Sequence, residues 1–390
     1  MLKRVADVVA GQSPPSDQVT EFDGSGMPFL QGNAEFGRRH PTPIKRCDSS
    51  QKKCLGGDIL LSVRAPVGAL NIADRPYGIG RGLCAIRARN IDRRFLWWCL
   101  NANVEALDSV ATGSTYDAVT RDDVGALRLE LPSSDIQLAI ADYLDAETAR
   151  IDALIVKKQR MVELIEERVW LWASDFISNR NRTLVPLRRF ITRISDGPFG
   201  SSLTSAHYTD AGARVVRLGN IGFFEFKNDD EAFISITHYL SLLKHRVREG
   251  NLLIAGLGDS KNHVGRACVA PDLGPSIVKA DCYCAEVDTE RATPEFLAIY
   301  LSCPLGAVEV ALASRGSTRS RINLDIALGI GVPTFTVNEQ IEFVTGFDRL
   351  RDESLEMVRR LQKQVALLQE RRQALITAAV TGQIDIPEVD

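Results

Sequence analysis

Two stretches of this 390-residue chain have spacings that catalysis uses. Phe22-Asp23-Gly24-Ser25-Gly26 has the FxGxG form of the glycine loop of adenine methyltransferases. Such a loop follows a buried apolar strand and opens a helix. Here the preceding Ser16-Asp17-Gln18-Val19-Thr20-Glu21 is polar, and no Asn/Asp-Pro-Pro-aromatic element exists; Ser13-Pro14-Pro15-Ser16 is the nearest. Asp210 with Glu225-Phe226-Lys227 imitates the carboxylate–ExK spacing of a metal-dependent nuclease, and the first half of the chain has no counterpart. The five histidines form no HExxH or HxH pair, and neither GxSxG nor a P-loop is present. The eight cysteines include no CxxC; Cys282 and Cys284 form a CxC, while Cys47 and Cys54 stand alone. They read as reduced core or loop cysteines of a cytoplasmic protein, since metal sites need tighter ligand sets. No catalytic residue, metal ligand or cofactor of its own is therefore assigned to the chain.

The residues left over suit binding. Loop segments carry Arg, Lys, His, Asn and Ser, the types that contact phosphates and base edges. In the first half the candidate DNA contacts are Arg38, Arg39, Lys45, Arg46, Lys52, Lys53, Arg64 and Arg81, with His40 beside the first pair. In the second half they are Lys244, His245, Arg246, Lys261, Asn262, His263, Arg315, Arg319 and Arg321. Gly113-Ser114-Thr115 and its copy Gly316-Ser317-Thr318 read equally as phosphate-binding turns or as tight structural turns. The formal net charge of −3 is unusual for a DNA binder. Its distribution matters more than its sum. Residues 1–130 hold 17 basic and 15 acidic side chains, and residues 181–331 hold 17 and 16. Residues 131–180 hold 6 and 9, and residues 332–390 hold 7 and 10, so the acidic excess lies between and after the basic segments.

The elements that position these residues are written twice. Leu2-Lys3-Arg4 recurs as Leu187-Arg188-Arg189 and Gly32-Asn33 as Gly219-Asn220. Gly57-Asp58-Ile59-Leu60-Leu61 recurs as Gly250-Asn251-Leu252-Leu253-Ile254, and Val67-Gly68 as Val264-Gly265. The spacing grows steadily from 185 to 203, as loop insertions in a second copy require, and then stays at 203: Gln137 meets Gln340, Asp145 meets Asp348, and Glu167-Arg168 meets Glu370-Arg371. Each half mixes short β-branched strands, such as 57–63 and 214–218, with short helices at 95–100 and 294–302. The expected order is globular half 1–130, long helix 131–180, globular half 181–331, and long helix with tail 332–390.

The helices are long because little breaks them. Residues 135–178 and 347–381 contain no Pro or Gly. Leu144, Ile151, Ile165 and Trp172 repeat every seven residues or multiples of it, with Leu154, Met161 and Val162 beside them. Phe347, Leu361, Leu368 and Leu375 do the same in the second helix, with Leu350, Met357, Val358 and Val365 beside them. Such a stripe predicts a coiled coil, interrupted at Lys158 and Ser354. At 1.5 Å per residue the first helix spans roughly 60 Å. Antiparallel pairing of two homologous helices would create a pseudo-twofold axis, suited to two DNA half-sites. The start of the chain has no apolar run long enough for a signal peptide, and Phe95–Leu100 is too short to span a bilayer, so no membrane partner is expected.

In this order, the repeated elements resemble the specificity subunit of type I restriction–modification systems over nearly the whole chain. The resemblance is carried by Asp196-Gly197-Pro198-Phe199-Gly200-Ser201 and by the two GDILL/GNLLI strands. Further matches are the helix entries Pro132…Gln137 and Pro333…Gln340 and the ending Arg371–Gly382. It implies an α+β fold with two target-recognition domains, separated by two long helices in an antiparallel coiled coil. It implies a non-catalytic subunit that reads a bipartite site on double-stranded DNA and docks two methyltransferase subunits and restriction–translocase subunits. S-adenosylmethionine, ATP and Mg would belong to those partners. The first copy departs from the pattern, with Gly11-Gln12-Ser13-Pro14-Pro15-Ser16 where the second has Asp-Gly-Pro-Phe-Gly. The two domains are therefore expected to read different half-sites. The alternatives are a specificity subunit for a fused methyltransferase–nuclease, and a structural coiled-coil protein without a DNA role.

Overall fold

A computed structural model describes residues 1–104, 107, 118–180, 182–313 and 321–386. The chain forms two compact units: residues 1–159 with 363–390, and residues 160–362. Each unit has its own globular half and a segment of both long helices.

In the first unit a four-stranded antiparallel sheet runs in the order Ala6–Ala10, Leu83–Ala88, Ile59–Ser62, Leu70–Ile72. A second sheet contains Pro28–Leu30 parallel to Tyr77–Ile79, flanked by three two-residue strands. The helix Arg93–Ala102 starts at Asp92, whose carboxylate accepts from the amides of Arg94 and Phe95, the usual way of satisfying orphan donors at a helix start. This helix buries two faces. Leu96 and Leu100 pack on the sheet with Leu2, Ile59 and Ile86. Phe95, Trp98 and Cys99 pack against Ile140, Ala141 and Leu144 of one long helix and Ile376, Ala379 and Val380 of the other. Burying each such side chain contributes about 1.5–3 kcal/mol.

The second unit repeats the plan. Its sheet order is Ile191–Ser195, Cys282–Val287, Leu252–Ala255, Ala267–Val269. Its smaller sheet again holds one parallel pair, Ala213–Val216 with Ser276–Val278. Thr293 caps the helix Pro294–Ser302. Val169, Ala173, Ile177, Phe343, Phe347 and Leu350 of the long helices join its core. Trp172 stacks on Phe343 at 5.7 Å between ring centroids.

The long helices are Ser134–Ser178 and Val337–Val380. The beginning of the first meets the end of the second in one unit, and its end meets the beginning of the second in the other, so they pair antiparallel. Leu144, Ile151, Phe347, Leu350, Val358 and Leu361 are buried as the seven-residue repeat predicts, whereas Leu154, Met161 and Met357 are exposed. Lys158, which interrupts the stripe, donates to Gln364 Oε1 across the pair at 2.6 Å. The second helix begins ten residues before its Gly-free stretch. Gly346 lies inside it because a Cβ there would sit 2.7 Å from the Trp172 ring. Gly382, at φ +66°, ends this helix, where only a residue without Cβ adopts that conformation freely. Among the described residues no single helix is long and apolar enough to cross a membrane. All eight cysteines are free and buried; burial pushes the thiols of Cys84 and Cys99 up to about 12, which keeps them protonated at neutral pH.

Candidate nucleic-acid interface

Each globular half is tied to its long helix by a buried glutamine. Gln137 Oε1 accepts from the Asp92 amide at 2.9 Å, and its Nε2 donates to Pro132 O. Gln340 Oε1 accepts from the Thr293 amide at 2.8 Å, and its Nε2 donates to Arg291 O and Phe335 O. In both units the latch joins the cap residue of the short core helix to the first turn of the long one, so the loops above each sheet are held on a fixed base. Gln340→Ala is expected to destabilise the second unit by on the order of 3 kcal/mol, because it strands buried backbone groups. Native-state hydrogen exchange should then speed up in Pro294–Ser302 and leave Arg93–Ala102 unchanged.

The candidate contacts of the first half fall into distinct environments. Arg38 and Arg39 sit at the tip of a tight turn closed by the Phe36–Pro41 bridge and the Gly37 N–His40 O hydrogen bond. Asn71 Nδ2 donates to Gly37 O, the Ile72 amide donates to Arg39 O, and His40 Nδ1 contacts Ile72 O, which pins the tip to the edge strand. Lys45 donates to Gln31. Arg46 is engaged by Asp23, Thr20 and Ser25; the Ser25 hydrogen bonds, helped by Arg46, hold the exposed Asp23 carboxyl below the usual range. This arrangement uses Asp23 and Ser25 of the FxGxG stretch in a surface turn. Lys52, Lys53, Arg64 and Arg81 are exposed. Arg64 and Arg81, 17 residues apart in sequence, line one small cavity with Gly32 and Asn33.

The second half uses more of its candidates internally. His245 hydrogen-bonds to Asp196 O, and burial lowers its pKa. His263 contacts Val264 O and Ser302 O. The Asn262 amide group donates to Asp259, which also accepts from the Lys261 and Asn262 backbone amides. Arg321 pairs with Asp281 at 2.7 Å. Arg246 is partly buried, whereas Lys244 and Lys261 are exposed. Arg315, Arg319 and both Gly-Ser-Thr turns lie outside the described residues. Asp196, in the family-like Asp-Gly-Pro-Phe-Gly stretch, is structural: its carboxylate accepts from the Gly197 and Asp281 amides. Burial nevertheless raises its pKa. Gly197 and Gly11 are equivalent, since a Cβ on either would strike strand-end backbone, at Lys279 and Gly80 respectively.

Sequence reasoning missed Arg266. It is 5% exposed and donates to four carbonyls: Ile221 O, Leu257 O, His263 O and Leu218 O. Three loops of the second half thus hang on one guanidinium. At the repeat spacing its counterpart is Ala69, so duplication gives no signal for it.

Residues 2–164 match the family described as type I restriction modification DNA specificity domain. A segment of 162 residues is 38% identical to the putative type I restriction enzyme MjaX specificity subunit of Methanocaldococcus jannaschii, covering 41% of this chain and 37% of that protein. The MjaIX specificity subunit of the same organism is 22% identical, with 100% of this chain and 94% of that protein covered. A solved chain from a study of complex assembly and conformational transition of the type I R-M system has the same fold: the TM-score is 0.73 at 16% identity, over 98% of this chain and 97% of that one. The repeated sheets, the antiparallel helices and these relatives together establish that the chain belongs to the family of type I restriction–modification specificity subunits, proteins of DNA sequence recognition.

Proposed function

We propose that this chain is a non-catalytic subunit that reads a bipartite site on double-stranded DNA, one half-site per globular half. It directs two adenine methyltransferase subunits there, with restriction–translocase subunits joining the complex. S-adenosylmethionine, ATP and Mg belong to those partners. The observation that carries the reading is one scaffold used twice with different loop chemistry. Both units keep the sheet order and the glutamine latch, while the loop cations of the first half are largely exposed and those of the second largely engaged. Two unlike readers on one base suit two unlike half-sites. Exposed apolar side chains on the long helices, among them Leu164, Leu171 and Leu367, supply surface for partner subunits.

The test is a map of N6-methyladenine in DNA from cells that carry this chain with its neighbouring methyltransferase, set against cells lacking the chain. Methylation confined to one split motif, and lost without the chain, is expected. Identical methylation in both cultures would reject the proposal.

A further inference from the structure

The first unit contains a cavity of about 530 Å³ bounded by its sheet edge, its short core helix and both long helices. Five arginines line it: Arg38, Arg39, Arg93, Arg94 and Arg372, with the indole of Trp97 beside them. Two carboxylates also face it, Asp145 and Asp152, and both are engaged. Asp145 receives the Trp98 indole N–H at 3.1 Å and Arg94 at 3.3 Å. Asp152 receives Arg372 Nε at 2.9 Å, and the Arg372 guanidinium lies 5.9 Å from the centre of the Trp98 ring. Arg94 is further held by Asp142 at 2.6 Å. Among the described residues, Arg38, Arg39 and Arg93 have no carboxylate within salt-bridge distance, so the cavity keeps an uncompensated positive charge.

Two of these three cations are built into place. The Arg38-Arg39 turn is pinned to the strand Leu70–Ile72. Arg93 lies over Gly57, at φ +91°, with its Nη1 2.5 Å from where a Cβ on Gly57 would stand. The second copy keeps the positive-φ glycine as Gly250 but has open space over it and Pro294 in place of Arg93. The cavity's cation set therefore belongs to the first half alone and is not a by-product of the duplicated scaffold.

We infer that this cavity is a phosphate-binding site, with Arg39 and Arg93 as its principal ligands and Arg38 flanking them. Guanidinium forks match phosphate oxygens in geometry and charge, and the fixed turn lowers the ordering cost of binding. The source of the phosphate is either the backbone of bound DNA, which rests on the function proposed above, or a free phosphate ester. A DNA phosphate here would anchor the first half next to the long helices without reading sequence.

The test uses the full chain and the double variant Arg39→Gln/Arg93→Gln, with thermal unfolding confirming that the variant folds. Two probes are applied: inorganic pyrophosphate by calorimetry, and duplex DNA carrying the methylated motif across a salt series. If DNA is the source, the slope of log affinity against log salt falls by about 1.8 in the variant, at about 0.9 per phosphate lost, with the preferred sequence unchanged. If a free ester is the source, the wild type binds pyrophosphate, the variant does not, and the DNA slope is unaltered. Wild-type chain that binds DNA with an unaltered slope in the variant, and that ignores pyrophosphate, overturns the site. The same result with loss of methyltransferase assembly would assign the cavity to an acidic protein surface instead, and also overturns it. Wild-type chain that binds pyrophosphate but no DNA would sink the proposed function while leaving the phosphate site standing.

Discussion

Inserting one helical turn of four residues into each long helix, after Gln159 and after Gln362, is expected to lengthen the unread spacer of the DNA site by about one to two base pairs. The helices continue without a break from the residues of one unit into those of the other. Four added residues contribute about 6 Å of helix at 1.5 Å each. A base pair occupies about 3.4 Å of DNA, so the added length matches one to two pairs. Insertion into both helices together keeps their antiparallel partners in step. Insertion into one alone would shift Phe343 and Phe347 away from Trp172, or Ile376 away from Leu144, and is expected to destabilise the chain without yielding a new spacer. Methylated-base mapping reads the result directly. A functional double insertion with an unchanged spacer would reject the idea that the helices set it.

Much of this scaffold is legible in the sequence, for identifiable reasons. Long helices announce themselves because 45 residues without Pro or Gly leave no cheap alternative. The duplication is legible because turn glycines and the two helix-entry glutamines sit where the backbone or a buried latch permits little else. Residues whose roles depend on distant partners are not legible. Gly346 reads as a helix breaker until Trp172 is seen lying over it. His245, His263 and Asn262 have the residue types of base and phosphate contacts, yet local folding commits them to carbonyls and to Asp259. Arg372 joins Arg39 and Arg93 in one cavity from more than 270 residues away, and no local pattern encodes that meeting.

Arg266 is the extreme case, and its replacement is expected to have the largest effect on stability of any single change considered. Arginine is nearly always exposed or paired with a carboxylate. Arg266 is buried and makes no salt bridge among the described residues; its five donors are spent on backbone carbonyls of Leu218, Ile221, Leu257 and His263. Burial lowers its pKa, with Asp259 acting in the opposite sense, but a guanidinium stays charged throughout the range in which proteins fold. Arg266→Met keeps much of the volume and removes every donor. Four carbonyls then lose a charged partner, at a cost of about 3–5 kcal/mol. For a unit of this size that corresponds to a fall of about 10 °C in Tm. Arg266→Lys retains the charge but cannot reach four carbonyls with one ammonium, so it should fall between wild type and Met. Hydrogen exchange should locate the damage in residues 218–222 and 257–266 and spare the first unit. In the methylation map the second half-site should relax or disappear before the first does. Equal stability of Arg266→Met and wild type would mean that these loops hold their shape without the guanidinium, and their rigidity would then have to come from the sheet alone.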